Sequence, residues 1–151
     1  MNKQLITLIT IFFFSNPLYA QNDAKKMAPF ELPIYKSDQI FKLDEKLKKH
    51  SKILINFWAA WCTSCIEELP DLEKLKANSK GKDILFVAIN AGESSKKIKK
   101  FLKKYKFSYL ILEDKNRVVS KSLGVKDLPK TYVLDSKGNI LFKKNRPPKK
   151  L

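Results

Sequence analysis

Ile53-Leu54-Ile55-Asn56-Phe57-Trp58-Ala59-Ala60-Trp61-Cys62-Thr63-Ser64-Cys65 is the stretch on which the fold of this chain turns. Its first six residues are apolar except for Asn56. Such a run is too continuously apolar for a half-wet strand and suits a central parallel strand covered on both faces. Beyond it, Ile66, Leu69, Leu72 and Leu75 recur at helical spacing, which predicts one helix over 63–79, kinked where Pro70 removes a backbone donor. Cys62 and Cys65 therefore fall at a strand-to-helix turn, one helical turn apart. That spacing lets their sulfurs bond to each other while the first faces solvent. A helix N-terminus, with its unpaired N–H groups and dipole, favours a thiolate at Cys62. The turn reads as a redox centre.

These are the only two cysteines in 151 residues, so there is no framework of structural disulfides and the pair must be explained by itself. A structural zinc site normally takes four protein ligands, and this chain offers two Cys and the single His50, which precedes the strand. No metal is expected, and His50 reads as a surface residue. The formal charge of +16 is almost wholly lysine. An excess of this size can mark nucleic-acid or membrane binding. Here Lys96, Lys97, Lys99, Lys100, Lys103 and Lys104 fall on one side of a helical wheel opposite Ile98, Phe101, Leu102 and Tyr105. That is a solvated face backing onto a core face, so no nucleic-acid partner is expected.

Residues 1–20 have the form of a secretory signal peptide: Lys3, the apolar run Leu5 to Phe14, then Ser15 to Ala20. Ten apolar residues in a helix reach only about 15 Å, half the hydrocarbon thickness. Cleavage after Ala20 is expected, although Leu18 is large for its place before the cut and leaves an uncleaved anchor open. Residues 21–28 read as a flexible lead-in. Short strands over 30–32 and 39–42 follow, then a short helix over 43–50. After the cysteine helix come strands over 84–89, 109–112, 131–135 and 140–143, with helices from Ser94 to Tyr105 and over 118–123. The last two strands join through the hairpin turn Ser136-Lys137-Gly138-Asn139. Alternating strands and helices closing in a hairpin predict a single α/β domain over 29–144, a mixed sheet with helices on both faces, and a basic tail over 145–151.

At residues 28–144 the sequence resembles the thioredoxin superfamily, in particular its extracytoplasmic TlpA/ResA-like branch. The resemblance rests on the stretch Ile53 to Cys65, on Glu68-Leu69-Pro70 after it, and on Leu128-Pro129 before the fourth of the longer strands. It implies the three-layer thioredoxin-like fold, with Cys62 as attacking thiol and Cys65 as resolving thiol. Pro129 would be cis and face the pair, and Trp61, Leu128 and Pro129 would meet substrate, the Leu128 backbone pairing with an extended segment. Asn56 stands where cytoplasmic thioredoxins carry a buried acid, so proton handling would pass to Glu68, one helical turn beyond Cys65. A partly buried carboxylate there would have a raised pKa and could take the proton from Cys65; a solvated helix residue is the plain alternative. Lys130 stands where the family often has a small polar residue, and its ammonium could support a Cys62 thiolate. Family members usually finish with a helix packed on the sheet. Pro147, Pro148 and the absence of apolar periodicity exclude one over 145–151, which leaves one sheet face poorly covered and suggests lower stability, a covering partner or a truncated product.

The function expected is an extracytoplasmic thiol-disulfide oxidoreductase, periplasmic or otherwise secreted, acting mainly as a monomeric reductant without an organic cofactor. By resemblance its partners would be protein disulfides, for example those of apocytochrome c, and a membrane thiol electron donor. Two other readings stand beside it. One is an oxidase or isomerase of the same fold; the other is a non-enzymatic binding module in which the cysteines merely staple a turn.

Overall fold

The computed structural model describes residues 25–151, so the leader expected over 1–20 lies outside the described residues. The chain runs β1 (Glu31–Pro33), β2 (Ile40–Lys42), α1 (Leu43–Leu47), β3 (Lys52–Trp58), α2 (Thr63–Glu67), α3 (Leu69–Asn78), β4 (Ile84–Ala91), α4 (Ser95–Lys104), β5 (Leu110–Asp114), α5 (Val118–Ser122), β6 (Lys130–Asp135) and β7 (Ile140–Lys144). Five strands form one sheet in the order β5-β4-β3-β6-β7, and β1 and β2 form a separate hairpin. The three strands β3, β4 and β5 are parallel, whereas β6 runs antiparallel to β3 and β7 antiparallel to β6. Among the described residues no helix is long and apolar enough to cross a membrane.

The apolar run Ile53–Trp58 occupies the centre of the sheet, and its alternation sends side chains to both faces. Ile53, Ile55 and Phe57 pack with Val87, Ile89, Tyr132 and Leu134 against Phe41 of the hairpin, Leu43 of α1 and Val119 of α5. Leu54 and Trp58 point the other way, into a cluster with Leu69, Leu72 and Leu75 of α3 and Ile98 and Phe101 of α4. Helices therefore cover both faces, as the alternating pattern predicts, and the fold is thioredoxin-like.

Three expectations need correction. The single kinked helix over 63–79 is two helices, broken at Glu68 rather than at Pro70. Pro70 lies in the first turn of α3, where its missing N–H costs nothing because no helical acceptor precedes it. Residues 25–28 of the predicted flexible lead-in are anchored: Met27 is buried and its N–H donates to Gly138 O (3.0 Å), while Ile140 N donates to Lys25 O (3.1 Å). Residues 145–151 form no helix, yet they do not leave the sheet face bare. Leu151 packs with Phe142 against the Leu54–Trp58 cluster, and Lys82 Nζ donates to Leu151 O (2.6 Å). Two smaller differences concern polar ends. Ser94 sits at the N-cap of α4 without a side-chain cap bond, and His50 Nδ1 pairs with Asp83 Oδ1 (2.9 Å) just before β3.

Candidate active site

The central strand ends at Trp58, and the chain turns through Ala59 to Trp61 before α2 begins. Cys62 is the N-cap of α2, with extended backbone (φ −84°, ψ 103°), and its sulfur accepts the Cys65 amide (3.2 Å) and lies 3.7 Å from Ser64 Oγ. The two sulfurs are joined in a disulfide (S–S 2.12 Å). Contrary to expectation, Cys62 does not stand in solvent: it is 4% exposed against 2% for Cys65. Trp61 takes the exposed position instead, at 66%. The helix dipole also counts for less than the long predicted helix would supply. With only five residues before the break, α2 offers its local amide at Cys65 far more than a macrodipole.

Glu68 sits at that break and is almost wholly buried. Its carboxylate Oε1 accepts Asn56 Nδ2 (2.8 Å), and the same amide donates to Thr131 Oγ1 (3.1 Å). Asn56, the polar interruption in the central strand, thus ties the cysteine helix to β6. Burial pushes the Glu68 carboxyl up to about 7, against the pull of the Asn56 hydrogen bond, with the Asp71 charge adding to the rise. The residue is therefore the buried, poorly ionised acid anticipated, and not a solvated one.

The Leu128-Pro129 peptide is cis. Pairing of Phe57 with Lys130 places this dipeptide beside the end of β3, the end that carries the cysteines. Leu128 packs against the cluster that contains Cys62 and Cys65. Lys130 does not support the thiolate as suggested; its ammonium bonds Asn145 Oδ1 across to the chain after β7.

A further acid went unread in the sequence. Glu93 is 4% exposed, and its Oε2 accepts the Ala60 amide (2.6 Å) and Asn90 Nδ2 (2.9 Å). It clamps the turn just before the cysteines to the end of β4. Gly92 makes this approach: its φ of +94° turns the chain inward, and a Cβ there would meet Arg117 Cγ at 3.0 Å. The signal available was a lone acid between Gly92 and a lysine-rich helix, directly after a buried strand. Among the described residues no group of three or more His, Cys, Asp or Glu side chains is placed to hold a metal ion.

The site thus sets a disulfide at a strand-to-helix turn, with Leu128 of a cis Leu128-Pro129 loop packed against the cluster that contains it. The chain belongs to the AhpC/TSA family, whose profile matches residues 24–143. It is similar to the thiol-disulfide oxidoreductase ResA of Bacillus thuringiensis subsp. konkukian, with 30% identity over 100 residues, 66% of this chain and 58% of that protein. It is also similar to the thioredoxin-like protein YneN of Bacillus subtilis, with 39% identity over 95 residues, 61% of this chain and 55% of the relative. The matched segment thus spans a little over half the length of these relatives. Among solved structures, a putative thiol:disulfide interchange protein DsbE from Chlorobium tepidum superposes with a TM-score of 0.71 at 27% identity, covering 82% of this chain and 85% of that one.

Proposed function

We propose that the chain is an extracytoplasmic thiol-disulfide oxidoreductase that reduces protein disulfides through Cys62 and Cys65. The observation that carries this reading is the Cys62–Cys65 bond itself, set at the start of α2 beside the Leu128-Pro129 loop. In the reduced protein, the Cys62 thiolate attacks one sulfur of a substrate disulfide, forming a mixed disulfide and expelling the other substrate sulfur as a thiolate. Cys65 loses its proton, attacks the Cys62 sulfur of the mixed disulfide and releases the second substrate thiol. Two electrons pass to the substrate; the Cys65 proton leaves through Glu68 to one released substrate thiolate, the other takes its proton from solvent, and an external dithiol donor must restore the pair. Glu68 is the proton acceptor for Cys65, because a carboxyl titrating near 7 matches such a transfer. Exposed Trp61 and half-buried Leu128 meet the substrate chain, with the buried cis Pro129 shaping the loop that presents Leu128.

Direction follows from how weakly the thiolate is supported. A strongly oxidising pair needs its attacking thiolate held by cations or several donors. Here the sulfur's polar contacts are one amide and one hydroxyl, and Lys130 turns to Asn145. Reduction is favoured on those grounds. The leader-like residues 1–20 support export, after which a membrane thiol transporter would serve as donor and apocytochrome c cysteines as one substrate class. Equilibration of the protein with a series of glutathione buffers tests the direction. A reductant stays oxidised in buffers reducing enough to reduce an oxidase of this fold; a pair that is mostly reduced there contradicts the proposal.

A further inference from the structure

Beside the cysteine turn lies an open groove of about 410 Å³ whose apolar lining is Trp61, Ile66, Phe101 and Tyr105. Trp58 fixes its position from below: its ring meets Phe101 (4.5 Å between centroids) and Phe107 (5.6 Å), locking α4 against the end of the strand that delivers Cys62. The polar lining is Lys97, Lys100 and Lys104, spaced i, i+3, i+7 along one side of α4. Glu93 also borders the groove, but its carboxylate is turned inward onto the Ala60 amide and Asn90. Residues 94–106 contain seven lysines and no acid. Among the described residues none of the three groove lysines forms an ion pair with a carboxylate. A second row, Lys96, Lys99 and Lys103, lies along the neighbouring side of the same helix and lines, together with Ser94, Lys97 and Lys100, an adjoining hollow that has no aromatic side chain.

We propose that this groove binds an acidic peptide segment adjoining the disulfide of the protein substrate, so that the enzyme selects targets whose cysteines are flanked by Asp and Glu. The inference rests on the oxidoreductase reading above and supplies its substrate class. Charge complementarity names the occupant: ammonium groups without a carboxylate partner, that of Lys104 resting over the Tyr105 ring (5.1 Å to its centroid), attract carboxylates, and the exposed Trp61 ring gives an arriving chain an apolar surface to lie on. A peptide fits better than a lipid surface because only this groove sets the lysines beside Trp61 and the aromatic side chains Phe101 and Tyr105 next to the cysteine turn. A flat anionic membrane would be met as readily by the row at 96, 99 and 103.

The test uses the full chain, reduced with dithiothreitol and freed of it, and two synthetic peptides closing the same short disulfide loop, one flanked by Asp and Glu and one by Lys. The acidic peptide should show a KM lower by roughly tenfold, the compounded effect of three exposed ion pairs, and the advantage should fade in high salt. Lys97→Gln/Lys100→Gln/Lys104→Gln should abolish the preference. Lys96→Gln/Lys99→Gln/Lys103→Gln removes the same charge and should keep it. No preference in the parent protein, or equal loss in both triple variants, overturns the proposal. So does binding to anionic phospholipid vesicles through Lys97, Lys100 and Lys104 without any peptide preference. Turnover of neutral bis(2-hydroxyethyl) disulfide reports the redox reading separately. If that turnover is absent, binding of the acidic peptide with its cysteines replaced by serine, followed by tryptophan fluorescence, still decides whether the groove docks it.

Discussion

The substitution Glu68→Gln isolates the cost of burying this carboxylate. In the folded protein the group titrates near 7 rather than near its ordinary 4.5. That difference corresponds to roughly 3 kcal/mol of stability withheld from the ionised form. The sign follows from proton binding: the folded state holds this proton more tightly than the unfolded chain. Its contribution is fully present below pH 4.5, is lost as pH rises through the window from 4.5 to 7, and is absent at pH 8. The substituted amide keeps the volume and can still accept from Asn56 but carries no charge, while every other carboxylate is common to both proteins. Urea unfolding of the oxidised forms is the assay, since the bonded cysteines then contribute no titration. The variant should gain about 3 kcal/mol relative to the parent between about pH 4 and pH 8, in a domain of this size roughly 10 °C in Tm. A stability offset that stays constant across that range would refute the burial argument.

Asn56→Ala should raise the Glu68 pKa further, because the amide now lowers it, and should cost about 1–3 kcal/mol at pH 8 from the stranded carboxylate; carboxyl NMR titration and urea unfolding check the two effects. Glu93→Gln removes the charge from the acceptor of Ala60 N and Asn90, with an expected loss of about 1.5–3 kcal/mol and faster hydrogen exchange at the Ala60 amide. Leu54→Ala opens a cavity under α3 and should cost about 2–5 kcal/mol, read as a lower urea midpoint with an unchanged m-value.

Much of the architecture is readable in the chain because it depends on local pattern. The run Ile53–Trp58, apolar but for Asn56, reads as a strand covered on both faces, and the spacing of Ile66, Leu69, Leu72 and Leu75 reads as a helix. The break at Glu68 was not readable: a proline at 70 is compatible with a kink or with a fresh start, and tertiary packing chose the latter. Glu93 was silent for a similar reason, since its partners Ala60 and Asn90 become neighbours only when β3 and β4 pair. Lys130 and residues 25–28 mislead because their contacts are remote in sequence, 15 residues away at Asn145 in one case and near the opposite end of the chain, at Gly138, in the other. Burial of Cys62 is not legible in the spacing, which permits the bond to Cys65 but says nothing of what covers it.

The division of labour between the two sulfurs is tested most directly by single-turnover mixing of reduced protein with a disulfide-bonded protein substrate, followed by mass spectrometry. The parent protein should return as the Cys62–Cys65 disulfide with two substrate thiols released, and Cys65→Ala should stall as a mixed disulfide through Cys62. Release of substrate thiols by Cys62→Ala at the parent rate, or no adduct with Cys65→Ala, would contradict the account.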